Sequence, residues 1–193
     1  ESKRKKRSDD LLIKEKMETV TPIIENGFIY SIMFQEAFEE DIQNYKNLLS
    51  LDADYGCMLA LVMGDDQHGN YMTNAVGASV RIQKNYAKVR EALKETWNCV
   101  VGSVISNKIP VFIPCENMKM DYEERIEMID VCRELARKLR RITDISFRVG
   151  IGSVRRLAES MDSYEEALKA LVNSTGSVAH VDDLPIQCRY DRP

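Results

Sequence analysis

The chain has 193 residues, 44% hydrophobic and 30% charged, with a formal net charge of −4 and a sequence pI of about 5.4. That balance is ordinary for a globular domain that buries its own core, and no apolar run approaches the roughly 20 residues a membrane helix needs. Duplex nucleic acid needs a basic face, and the only dense basic run is Lys3–Arg7 (KRKKR), which reads as a solvated linker or helix end, with a nucleic-acid arm as the alternative.

Cysteine and histidine usage excludes two further classes. The five cysteines (Cys57, Cys99, Cys115, Cys132, Cys188) are odd in number, widely spaced and form no C-x-x-C. Neither a zinc site nor a disulfide framework is expected, and reduced, mostly buried thiols in a cytoplasmic protein are the simplest reading. His68 and His180 are too few and too isolated for a metal cluster and are expected in loops or on the surface. The charged N-terminus lacks the apolar core of a secretory signal.

In chain order, Asp9 to Val20 predicts a helix. Thr21-Pro22 predicts a kink there, or a new helix running to about Phe34, because threonine is a good N-cap and proline a good first helical residue. Ile13, Met17, Val20 and Ile24 follow at 4-3-4 spacing, the stripe of a short coiled coil and the candidate homodimer surface. Glu39 to Leu51 predicts a second helix, with Ile42, Tyr45, Leu48 and Leu49 inward. Residues 1–52 thus form a linker and helical region, and 53–193 a second unit.

Gly56–Met63 is continuously apolar and predicts a central strand covered on both faces. It ends at Gly64-Asp65-Asp66, and Gln67–Thr73 reads as a loop. Asn74 to Trp97 predicts a long helix with Ile82, Tyr86, Val89, Leu93 and Trp97 toward the core. Cys99–Ile105 and Ile109–Cys115 predict a hairpin turning at Ser106-Asn107-Lys108, with Pro110 and Pro114 marking an irregular edge.

Asp121 to Arg141 predicts the next helix, opened by an Asp121/Glu124 capping box and buried along Tyr122, Ile126, Ile129, Cys132, Leu135, Ala136 and Leu139. Its charges read as a solvated face with i,i+4 pairs such as Glu134–Lys138. Ile145, Phe147, Val149 and Ile151 alternate with polar or small residues as a strand ending in Gly150-Ile-Gly152. A last helix is predicted from Ser163, with Glu166 at capping-box spacing, and a last strand at Ser177–Val181. The order is helix-helix, then β-α-β-β-α-β, then α-β: an α+β fold with a ferredoxin-like core.

From about Tyr55 to Asp183 this order resembles the GGDEF superfamily of nucleotide-cyclase-like domains. Ser146-Phe-Arg-Val-Gly-Ile-Gly152 resembles the family's S-x-G-x-A strand, and Tyr164-Glu-Glu-Ala-Leu-Lys-Ala-Leu171 its closing helix. Active members carry an acidic metal segment after the first strand and a Gly-Gly turn with carboxylates in the hairpin. Here the hairpin reads Val104-Ile-Ser-Asn-Lys-Ile-Pro110, with neither glycine pair nor carboxylate. Two-metal phosphoryl transfer needs carboxylates, and a lysine at the turn repels the metal. The resemblance therefore implies a non-enzymatic domain with no cofactor and no metal. Asp65, Asp66, Lys108 and Arg148 remain as candidates to line the old nucleotide cleft.

A narrower resemblance is to the degenerate GGDEF-like middle domain of bacterial AraC-type two-component response regulators and related transcriptional regulators. It rests on Gly150-Ile-Gly-Ser, S-Y-E-E-A-L-K-A-L and Asp182-Asp-Leu-Pro185. It implies a regulatory, signal-transmitting and oligomerising domain. DNA and a sensor kinase would be partners only through a helix-turn-helix and a receiver outside this chain. The alternative reading is a nucleotide- or small-molecule-binding sensor, and after it an active diguanylate cyclase.

Overall fold

The structure is a computed structural model that describes residues 2–34, 39–63 and 75–183. In chain order the elements are α1 (Ser2–Phe34), α2 (Glu39–Leu48), β1 (Tyr55–Met63), α3 (Ala75–Thr96), β2 (Val100–Val101), β3 (Lys108–Cys115), α4 (Tyr122–Thr143), β4 (Phe147–Ile151), β5 (Arg155–Arg156), α5 (Ser160–Val172) and β6 (Val178–His180). The sheet order is β2-β3-β1-β4-β6, and β5 pairs with the start of β1. β1 is antiparallel to both neighbours, and β6 lies parallel to β4 across the α5 connection.

The continuous apolar run of β1 is explained by its two covered faces. Cys57, Leu59 and Leu61 join one core with Ile82, Val89 and Leu93 of α3 and Ile129, Cys132, Leu135 and Leu139 of α4. Met58 and Ala60, one step out of phase, join a second core with Phe28, Ile29, Ile32 and Met33 of α1 and Tyr164 and Ala167 of α5. Burying each such leucine or methionine stabilises by roughly 1.5–3 kcal/mol.

Gly150 and Gly152 lie on the α5 face. A Cβ at Gly150 would stand 2.1 Å from the Ala167 carbonyl oxygen, and one at Gly152 would stand 2.0 Å from that of Ser163. The Gly-Ile-Gly pattern therefore serves contact between a strand and a helix backbone. Where β4 peels away from β1, the Ser163 hydroxyl accepts from Met58 N (2.9 Å) and donates to the Ser153 carbonyl (2.7 Å).

Several local expectations are corrected. α1 runs unbroken through Thr21-Pro22, so no new helix starts there; the proline removes one donor on a stretch whose other bonds persist. Cys99–Ile105 is not one strand. β2 has two residues, Gly102–Val104 is irregular, and Ile105 bridges Lys108 around Ser106 (φ 60°) and Asn107. The prolines of β3 fit that short neighbour. Pro110 and Pro114 are in phase with Phe112, whose register partner on β2 is Val100, so their missing donors face the side where β2 is brief.

Ser163 does not open α5, which begins at Ser160; Glu166 accepts from Ser153 Oγ (2.9 Å) and Arg155 Nε (2.6 Å) instead of capping. In α4, Asp121 does cap, accepting from Glu124 N at 2.8 Å, but Tyr122 and Ile126 are exposed rather than buried. Glu134 pairs with Arg137, and Lys138 reaches Glu95 of α3. α2 stops at Leu48, which is exposed, while Leu49 packs and Leu51 is buried. His180 is not a surface residue: it is 3% exposed in β6, and its Nδ1 accepts from Asp182 N at 3.0 Å. Cys57, Cys99 and Cys132 are buried free thiols and Cys115 is half-buried, as expected. His68 and Cys188 lie outside the described residues.

Candidate functional site

The strongest concentration of buried charge joins α1 to the sheet. Phe28, Ile29 and Ile32 define the inward stripe of the second half of α1, and Glu25 falls on that stripe one turn earlier. Its side chain is only 2% exposed. Arg90 of α3 grips the carboxylate with both terminal nitrogens (2.8 and 2.7 Å), Lys94 Nζ lies 2.7 Å away, and Val101 N of β2 donates at 2.8 Å. Burial alone would raise this carboxyl, but the hydrogen bonds from Arg90, Lys94 and Val101 together outweigh it and hold it below its ordinary value. The neighbouring Asn26 accepts from Ser103 N at 3.0 Å. Two side chains of α1 thus answer backbone donors on the outer side of the β2 segment, where another strand would pair.

Glu25 was not among the residues singled out from sequence. The available signal was a lone acid on an apolar helical face, with two cations at i,i+4 (Arg90, Lys94) on a helix far along the chain.

The other half of α1 differs. Every residue from Ser2 to Val20 is exposed, and Met17 is 61% exposed. Of the stripe Ile13, Met17, Val20 and Ile24, the first three are exposed and Ile24 is half-buried.

The C-terminal end of β1 is where the resemblance to nucleotide-cyclase-like domains implies the old nucleotide cleft. Val62 is in register with Lys108 on one side and Arg148 on the other, so these three share a row and a face of the sheet. The cations there are engaged. Arg148 donates to three carbonyls, those of Leu171 (3.0 Å), Ser174 (2.7 Å) and Gly176 (3.1 Å), and so closes the C-terminal end of α5. Lys108 Nζ donates to Asn107 Oδ1 at 3.0 Å, and Asn107 O accepts from Met63 N at 3.1 Å. Asp65 and Asp66 lie outside the described residues. Among the described residues no group of three or more His, Cys, Asp or Glu side chains could hold a metal ion. No described helix is long and apolar enough to cross a membrane.

A sheet of order 2-3-1-4, two helices on one face and a parallel βαβ extension define an α+β, nucleotide-cyclase-like fold built on a ferredoxin-like core. The chain belongs to the GGDEF-like domain family, whose model matches residues 36–172. Among curated proteins, none matches this chain. Among solved structures, it is similar to a regulator of polyketide synthase expression from Bifidobacterium adolescentis, with 14% identity and a TM-score of 0.47. That likeness covers 84% of this chain and 60% of the other, so the chain spans less than two thirds of that protein's length.

Proposed function

We propose that this is a non-catalytic regulatory and oligomerisation domain that passes a conformational signal through α1, as in a bacterial AraC-type two-component response regulator. The observation that carries the reading is the division of α1. Its second half is locked to the sheet through Glu25, while its first half stands free with an apolar stripe. A helix fixed at one end to a folded core can report a change at its free end by undocking or twisting, a two-state element of the kind that switches use. In this reading the receiver lies before the domain and a helix-turn-helix after it. Sensor kinase and promoter DNA are reached only through those parts, and the protein works in the cytoplasm.

The free stripe is the proposed homodimer surface. With Ile13 and Val20 at d and Met17 and Ile24 at a, Asp9 falls at g and Lys14 at the following e, an attractive pair across a parallel two-stranded coil. Met17→Glu with Val20→Glu is expected to convert a dimer to a monomer, read as mass by multi-angle light scattering. Both side chains are exposed, so the fold should persist by circular dichroism. A mass unchanged by the double substitution excludes this surface.

The non-catalytic part rests on the turn Ile105-Ser106-Asn107-Lys108, which presents an ammonium and no carboxylate. Incubation with GTP and Mg²⁺ is expected to leave the GTP unconsumed by chromatography. Formation of a cyclic dinucleotide would overturn the proposal.

A further inference from the structure

We infer that the C-terminal half of α4 forms a binding site for a small organic polyphosphate. A cleft of about 590 Å³ opens between this helix and the start of β4. Arg133, Arg137, Arg140 and Arg141 line it, together with Ser146 and Ser177, and among the described residues Glu134 is the only acid in its wall. With Asp130, which pairs with Arg133, counted beside Glu134, four guanidinium groups against two carboxylates leave a net charge of two positive units among the described residues at the cleft, in a chain whose overall charge is −4.

A helix end commonly carries arginine to complement its dipole and cap its carbonyls. That explanation is insufficient here. The last carbonyls are served by other groups: Asp144 N donates to Arg140 O at 3.0 Å and Thr143 Oγ1 to Leu139 O at 2.6 Å. Two of the arginines sit one and two turns further back.

The guanidinium groups are also weakly committed. Arg133 meets Asp130 at 3.3 Å and Arg137 meets Glu134, both as exposed i,i+3 pairs; such pairs contribute about 0–1 kcal/mol and are easily exchanged for a better anion. Arg140 donates to Ser146 Oγ. Arg141 has no partner among the described residues.

Spacing selects the ligand class. From residue 133 to 141 the helix rises about 12 Å, too far for one carboxylate or one phosphate and suited to a chain of phosphoryl groups. Arginine forks match phosphate oxygens in pairs, and the serine hydroxyls add neutral donors. A concave site rimmed by Glu134 fits a compact ligand better than the continuous phosphate stripe of duplex DNA. The cleft lies against α4, on the sheet face opposite α1, so the assignment stands independently of any signalling through that helix.

Calorimetry with inorganic triphosphate and with ATP, both without metal, tests it on the whole chain. Saturable binding at one site is expected, weakened at least about tenfold in Arg137→Ala/Arg141→Ala, consistent with the loss of charge-assisted bonds. If that double variant melts early, Arg141→Gln alone, an exposed change, is expected to weaken binding in the same direction. No binding by the wild type, or equal binding by the variants, overturns the inference. A short DNA duplex that binds more tightly than triphosphate, with the same dependence on Arg137 and Arg141, also overturns it, in favour of a nucleic-acid face.

Discussion

Replacing Gly150 with alanine is expected to lower the melting temperature by about 10 °C, the shift that a loss of about 3 kcal/mol produces in a domain of this size. The new Cβ would lie 2.1 Å from the Ala167 carbonyl oxygen, 2.8 Å from its carbon and 3.0 Å from Leu171 Cγ. The first two are helix backbone, so no side-chain rotation relieves the overlap. α5 must move away by about an ångström, and close-packed cores resist such shifts. The movement would disturb Tyr164, Ala167, Ala170 and Leu171 together, and with them the carbonyls that Arg148 holds at the end of α5. Thermal melting followed by circular dichroism measures it. A wild-type melting temperature in the variant would show that α5 does not rest on β4 as described.

The second large effect is at Glu25. Glu25→Ala is expected to cost about 2–3 kcal/mol. Removing one partner of a buried ion pair commonly costs 3–5 kcal/mol; the smaller figure applies because Arg90 and Lys94 are 15% and 35% exposed and water can reach them. The damage should be local. Amide hydrogen exchange is expected to rise in the Phe28–Met33 segment and at Val101, while β1 and β4 keep their protection. Exchange unchanged in that segment would mean that α1 is held by its apolar contacts alone.

Acid should act on the same node. The folded carboxyl is held below its ordinary value of 4.5, so its stabilisation is complete above that pH and is lost as pH falls through the folded value. Undocking of α1 in acid should therefore be steeper in the wild type than in Glu25→Gln, which has no such proton to take up.

What the sequence discloses about this fold is the part governed by local periodicity. A run with no polar member from Gly56 to Met63 needs two covers, and the two cores supply them. Asp121 caps because its carboxylate and the Glu124 amide are three residues apart, a relation visible in any window. The misread features depend on distant partners. Thr21-Pro22 looks like a helix start, but α1 continues through it into a helix half that the sheet and α5 bury, and packing outweighs one missing bond. Ser163 looks like a cap until Met58, 105 residues earlier, supplies the amide it satisfies. Glu25 meets Arg90 across 65 residues and Val101 across 76, separations at which no periodic pattern operates. Of the cleft candidates, Arg148 is visible from sequence as a cation beside the cleft, but its engagement with three carbonyls is a property of how α5 ends.

The acceptors that Glu25 and Asn26 offer to Val101 and Ser103 have a bearing on where this domain ends. The family match starts at residue 36, after α1. A chain begun there would leave those two amides unanswered and uncover the apolar bed that Phe28, Ile29 and Ile32 fill. Such a surface recruits another strand. The helix is thus a built-in guard against sheet-to-sheet aggregation, and any state that lifts it would have to be short-lived or caught by a partner waiting to take its place.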